Sequence, residues 1–170
     1  TYMGTPSTQS QNVQRVELKG IEGDFNARLT EAVSFYGNFT YTRATDLTAD
    51  MPLAYIAPLH GIAGLRYTPQ GANYSLHAAV DWSVAKTRID PSQEYPTGSY
   101  GVIDIGGEVS LAPYAGPALK NTRLIVTIDN LFNAAYRSGA TYASMAYRES
   151  MTNPLLEPGR NLTVTLRHRF

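Results

Sequence analysis

The sequence predicts an all-β chain of antiparallel strands that forms part of a transmembrane β-barrel. Three observations carry this expectation. The dominant hydrophobic period is two, and no stretch of about twelve residues shows a helical stripe. The connections between alternating runs are short on one side and long on the other, as in barrels with tight turns below a membrane and long loops above it. No run of about 18 apolar residues exists, which excludes a membrane-spanning helix. It does not exclude a barrel, whose alternating strands keep mean hydropathy low.

The elements follow in order. Segment 12–25 alternates but changes parity near Gly20, which predicts a bulge. Segment 31–42 sets Val33, Phe35, Phe39 and Tyr41 against Ser34, Tyr36, Asn38, Thr40 and Thr42. Segment 58–68 sets Leu59, Ala63, Leu65 and Tyr67 against His60 and Arg66. Segment 74–84 sets Tyr74, Leu76, Val80, Trp82 and Val84 against Ser75, His77, Asp81 and Ser83. In 100–111, Ile103, Ile105, Val109 and Leu111 oppose Asp104, Glu108 and Ser110. In 123–132, Leu124, Val126 and Ile128 oppose Thr127 and Asp129. The last segment, 160–170, places Leu162, Val164, Leu166 and Phe170 on one face and Thr163, Thr165, Arg167 and Arg169 on the other. Seven strands result.

Segments 26–29 and 69–72 give turns of about four residues and 113–121 one of about nine, whereas 45–57, 88–98 and 133–158 are long. Strands of about 10–15 residues suit a tilted span of 9–11 residues with protruding ends better than the ~5–6 residues of a soluble sheet. Tyr67, Tyr74 and Phe170 lie toward the short turns, and Tyr41 and Trp82 toward the long loops. Tyr74 and Trp82 are roughly 26 Å apart along a strand, about 19 Å along the membrane normal at ~45° tilt. That fits two aromatic girdles bounding an apolar band.

Composition excludes other classes. Lys+Arg and Asp+Glu are both 14, so the chain is formally neutral, and charged residues make up only 16%. Neither nucleic acid nor a polybasic membrane surface is indicated. Cysteine is absent, which removes disulfides and thiolate chemistry. No signal peptide is visible, and Thr1 is compatible with a leader already removed.

Several motifs carry a resemblance. Asp129-Asn130-Leu131-Phe132-Asn133-Ala134-Ala135-Tyr136 resembles the N-L-F-D/N-x-x-Y segment near the end of TonB-dependent outer-membrane receptors. Glu157-Pro158-Gly159-Arg160 and the strand ending in Phe170 stand in the same order as that family's P-G-R and last strand. Pro58 to Tyr67 is similar to another of its strands, and Val16-Glu17-Leu18-Lys19-Gly20 resembles its V-E-x-x-G strand. The resemblance covers about residues 12–170.

The resemblance implies a 22-stranded barrel with an N-terminal plug. It also implies active uptake of a scarce ligand, such as an iron–siderophore, haem, cobalamin or a metal complex, driven through TonB from the inner membrane of a Gram-negative bacterium. This sequence shows neither plug nor TonB-binding segment. It therefore reads as the C-terminal third of such a receptor, with residues 1–11 the remnant of an extracellular loop and 12–170 barrel wall. Its edge strands then need partners, namely the remaining strands and plug, from another chain or a preceding segment. The alternative is a small non-transporting outer-membrane barrel or surface adhesin that uses all 170 residues.

Candidate roles follow. Asn130 caps backbone where pairing ends, while Leu131, Phe132 and Tyr136 pack the base of the last loop. Pro158 and Gly159 turn the chain back, and Arg160 pairs with a loop carboxylate or carbonyl. Alternation puts Arg66, Glu108, Arg123, Arg167 and Arg169 in the lumen, where they would meet the plug. The last loop carries Tyr136, Arg137, Tyr142, Met145, Tyr147, Arg148 and Met151. Its Tyr and Arg side chains suit anionic or aromatic ligands, and the two Met could be soft copper ligands. His60 stands alone at the outer start of its strand, with His77 inward and His168 outward. No resident metal or cofactor is implied, and no enzyme either. His77, Asp81 and Ser83 share a face, but His77 and Asp81 are roughly 13 Å apart along one strand, too far for a triad. Asn38, Asn73 and Asn161 match the glycosylation pattern by chance.

Overall fold

The computed structural model describes residues 15–115, 119–139 and 155–169. Its long strands are β1 (Val16–Arg28), β2 (Val33–Asp46), β4 (His60–Tyr67), β5 (Tyr74–Ser83), β6 (Tyr100–Ser110), β7 (Thr122–Asp129) and β8 (Asn161–His168). The two-residue β3 (Met51–Pro52) folds back on the end of β2. A four-residue helix, α1 (Ala112–Ala115), sits in the connection between β6 and β7. Every strand pair is antiparallel, and the sheet runs β1-β2-β4-β5-β6-β7-β8, so the seven long strands form a simple meander. β1 and β8 are not paired with each other.

The registers align one face across the whole sheet. Val33↔Tyr67 and Tyr67↔Leu76 belong to one apolar row, and Tyr74↔Val109, Val109↔Leu124 and Leu124↔Leu166 make another two residues lower. Two residues higher in each ladder the pairs are again apolar, among them Phe35↔Leu65 and Val126↔Val164. The opposite face holds Arg28, Arg66, Asp81, Asp104, Glu108, Arg123 and Arg167. Residue alternation alone produces this segregation, because a strand turns successive side chains to opposite faces. Among the described residues no second layer covers the apolar face. Among the described residues only Ala44 and Val102 are buried apolar side chains, and Val164 remains 61% exposed. In a bilayer, lipid would take the place of the missing layer, and each buried Leu or Val would then gain about 1.5–3 kcal/mol.

Four expectations need correction. No bulge occurs at Gly20, since β1 and β2 pair in unbroken register from Val16↔Asp46 to Arg28↔Ser34. The parity of β1 changes because the strand rises out of the apolar band. Ile21 and Phe25 are on the apolar face, whereas higher up that face carries the ion pair Lys19–Glu17, 2.9 Å. The first turn lies at 29–32 rather than 26–29. Thr30 Oγ1 accepts from Ala32 N–H (3.2 Å) and Val33 N–H (3.0 Å), so the local bonds of Thr30 close the turn three residues later. β7 stops at Asp129 rather than 132, because Asn130 takes a positive φ of 51°. Finally, Phe132 does not pack the base of the last loop and is 73% exposed. Phe170 lies outside the described residues.

Candidate functional site

The connections between the lower strand ends are 29–32, 68–73 and 111–121, whereas the upper ones, 47–59, 84–99 and 130–160, are long. The upper connections hold one another. Asp46 Oδ1 accepts from Thr48 and Ala49 N–H, which turns the chain toward β3. Arg88 donates to the Ala44 carbonyl at 2.6 Å and to Thr45 Oγ1 at 2.8 Å, tying the second loop to the end of β2. Within that loop Lys86 and Glu94 form an ion pair of 2.5 Å with both side chains buried. The same Glu94 oxygen, Oε2, accepts the Tyr55 N–H from the first loop at 3.1 Å. Backbone bonds between Lys86 and Thr97 in both directions close the ribbon around the pair. Asp90 accepts from the Ser92 N–H and hydroxyl and from Gln93 Nε2. The Ser92 hydroxyl chiefly, against the cost of burial, holds the Asp90 carboxyl below the ordinary carboxylate value.

The base of the third loop is built on Asn130. Its N–H donates to Asp104 Oδ1 (2.7 Å), its Oδ1 accepts from Ala134 N–H (2.8 Å), and its Nδ2 donates to the carbonyls of Ala134 and Pro158. The expected cap is therefore present, and it spans both ends of the loop. Asn133 Oδ1 accepts the Arg160 N–H at 2.9 Å, and a Cβ on Gly159 would stand 2.6 Å from that oxygen, so a larger residue there would have to displace the Asn133 side chain. Arg160 Nη1 reaches the Leu131 carbonyl at 3.4 Å, a carbonyl partner of the kind expected. Gly139 lies against Pro58 and Thr97, bringing the third loop onto the other two.

At the junction Tyr136 packs on Tyr100 with ring centroids 4.6 Å apart. Burial first, then the Asp81 and Glu157 carboxylates, pushes the Tyr136 hydroxyl up to about 12, so it stays a neutral donor. Beside it a cavity of about 510 Å³ is lined by Thr97, Tyr100, Ala134, Tyr136, Arg137 and Leu156, among others. Phenol and guanidinium groups here suit an anionic or aromatic guest. Of the expected loop residues, Tyr136 and Arg137 come to this cavity. Tyr142, Met145, Tyr147, Arg148 and Met151 lie outside the described residues.

At the lower end of the polar face Arg123 pairs with Glu108 at 2.6 Å and stands across from Arg167. Arg66 stacks over the Tyr36 ring, 5.4 Å from its centroid. Arg66, His77, Glu108 and Arg123 line a cavity of about 730 Å³ together with Thr68, Asn73 and Ser75. Arg169 continues β8, its N–H donating to the Asn121 carbonyl.

The histidines do not converge. His60 donates from Nδ1 to the Pro58 carbonyl at 2.7 Å, His77 lies beside Arg66, and His168 Nδ1 is 2.7 Å from Thr122 Oγ1 on the apolar face. Among the described residues no three His, Cys, Asp or Glu side chains form a metal cluster. Ser83 Oγ donates to the Val84 carbonyl at 3.1 Å, and His77 and Asp81 stay four residues apart on β5. Sequence reasoning missed Tyr100, Arg88 and the Lys86–Glu94 pair. Tyr100 was legible as the first inward residue of its strand, but nothing in the spacing of Lys86 and Glu94 announces a buried pair.

A family profile described as "TonB dependent receptor-like, beta-barrel" matches residues 1–131. The fold is similar to that of the copper transporter OprC, with a TM-score of 0.77 and 22% identity over 91% of this chain and 24% of the other. A variant of the ferric enterobactin receptor of Pseudomonas aeruginosa gives 0.65, 20%, 91% and 22% for the same measures. The ferripyoverdine receptor of the outer membrane of Pseudomonas aeruginosa, bound to ferripyoverdine, gives 0.59, 13%, 90% and 19%. The chain thus spans about a quarter or less of each of these structures. No curated protein matches the sequence.

Proposed function

The chain belongs to the family of TonB-dependent receptor-like β-barrels, whose members are receptors and transporters rather than enzymes, and from that premise we propose that it supplies the C-terminal wall of an outer-membrane uptake receptor. The cargo is a scarce nutrient such as an iron–siderophore, haem, cobalamin or a metal complex. Residues 12–170 are the C-terminal part of the barrel and 1–11 belong to a preceding extracellular loop. One observation carries this reading best. A polar face that holds Arg66, Asp81, Asp104 and the Arg123–Glu108 ion pair, and an apolar face left uncovered by the described residues, run the length of one antiparallel sheet, with the long loops gathered at a single end.

In this account the upper loops take the cargo, with Tyr136 and Arg137 at the cavity and Tyr142, Met145, Tyr147, Arg148 and Met151 further along the same loop. Arg66, Glu108, Arg123, Arg167 and Arg169 face the plug. Exposed charged contacts of this kind are worth about 0–1 kcal/mol each, so a plug held by them can be moved and reseated. An apolar core would hold it far more firmly. Partners are the remaining strands, the plug, outer-membrane lipid and the TonB complex.

The test is accumulation of a labelled cargo, from a panel of ferric siderophores, haem, cobalamin and copper, by cells carrying the intact protein. Binding that survives a protonophore while accumulation stops supports energised uptake. Accumulation that continues unchanged without the proton gradient contradicts it.

A further inference from the structure

On the apolar face of the described strands the only charged side chains are Glu17, Lys19 and Arg43. All three sit at the upper ends of β1 and β2. Lys19 and Arg43 are direct cross-strand partners, and like charges so placed repel. Glu17 offsets Lys19, at 2.9 Å and with both groups exposed. Among the described residues no carboxylate pairs with Arg43. One rung lower in the same ladder are Ile21 and Tyr41. Below them Phe39 and Trp82 flank Gly61, where a Cβ would run into the Asn38 carbonyl and no side chain fills the gap. The result is an apolar hollow of about 520 Å³, lined by Ile21, Phe39, Tyr41, Leu59, Ala63 and Trp82 among others.

We propose that this hollow, with Lys19 and Arg43 above it, is a binding site for an outer-leaflet lipid with a net-anionic phosphate headgroup. Two cations stand where phosphate would lie, one rung above the aromatic residues. Two residues of strand are about 6.8 Å, or about 5 Å of depth at ~45° tilt. An acyl chain below that phosphate enters a surface almost devoid of polar groups, and the phosphate gives Arg43 an anionic partner while sharing Lys19 with Glu17. The volume is in the range of sites that hold small molecules rather than one side chain. Charge selects the occupant: a zwitterionic or neutral lipid gains the hollow and leaves the cations as they were. This inference needs the apolar face to meet lipid but does not depend on which cargo is carried.

The experiment measures retention of dimyristoylphosphatidic acid by the intact protein in detergent micelles, read by native mass spectrometry, against dimyristoylphosphatidylcholine and inorganic phosphate. The acid should be retained about tenfold better than the zwitterionic lipid. K19Q with R43Q should lose that advantage, and K19R with R43K, which keeps both charges, should preserve it. Equal retention of the two lipids by the native protein, an undiminished preference in the K19Q/R43Q protein, or displacement of the acid by millimolar inorganic phosphate would overturn the proposal. Energised uptake persisting in that variant leaves the transport reading standing, so the two accounts fail separately.

Discussion

The N–H of Asn130 donates to Asp104 Oδ1 at 2.7 Å, above the last regular pair of β6 and β7, Ile105↔Ile128. A side chain thus takes over where the ladder ends, and the same Asn130 amide bridges both ends of the last loop. Replacing Asn130 by Ala removes the three side-chain bonds, leaves the main-chain N–H bond to Asp104, and puts a residue less suited to φ 51° at a buried position. The expected loss is about 2 kcal/mol, from unsatisfied buried groups and backbone strain. It should appear as a lower urea midpoint of the detergent-solubilised protein, and an unchanged midpoint would count against the cap.

Lys86 and Glu94 form a buried pair, so single and double replacements should differ. Glu94→Gln or Lys86→Met alone leaves one buried charge uncompensated and should cost about 3–5 kcal/mol of local stability. The double replacement should cost much less. Protease cleavage within 84–99 reads this directly: fast in each single variant and near the native rate in the double.

Asp90 gives a pH signature. Its carboxyl is held below its ordinary value by the Ser92 hydroxyl, so the folded state favours the charged form. Its contribution is complete above the unfolded value of about 3.9 and is lost as pH falls through the lower folded value. The difference in thermal midpoint between the native protein and Asp90→Asn should hold from about pH 7 to 5 and shrink below about pH 4. A difference that grows on acidification has the wrong sign for this account.

The open edges predict a dependence on partners. Among the described residues, no strand pairs with the outer side of β1 or of β8. In lipid each unpaired N–H or C=O group costs several kcal/mol. Amide exchange along Asn161–His168 should be fast when residues 1–170 are isolated in detergent and slow when the remaining strands are present. Slow exchange at both edges of an isolated monomer would mean the sheet closes on itself.

Much of the wall was legible in the sequence because period two states its own geometry. Val126, Val164 and Thr165 fall on the faces that alternation assigns them. The Asn130 cap was legible from the motif that contains it. What misled was local. The parity change at Gly20 is a strand leaving an apolar environment, and hydrophobic pattern alone does not distinguish that from a bulge. Thr30 moved the first turn through two hydrogen bonds of its own. The loop contacts were not legible at all, because Arg88 meets Ala44, and Gly139 meets Pro58, only after the strands have set three loops side by side.

Lipid-facing placement predicts unequal costs for one substitution on adjacent residues. Val164→Arg should cost about 2–4 kcal/mol near the midplane, and Thr165→Arg clearly less. Equal costs, measured by urea unfolding in bilayers, would mean the faces are reversed or both wet.

One face of this sheet is expected to meet lipid and the other water. The chain has no cysteine, so single cysteines can be placed from 161 to 168 and spin-labelled in the reconstituted intact protein. Collision rates with molecular oxygen and with a water-soluble nickel chelate then report each position. The account predicts oxygen maxima at Leu162, Val164 and Leu166, with nickel maxima out of phase at Thr163, Thr165 and Arg167. Profiles in phase with each other, or flat along the strand, would contradict it.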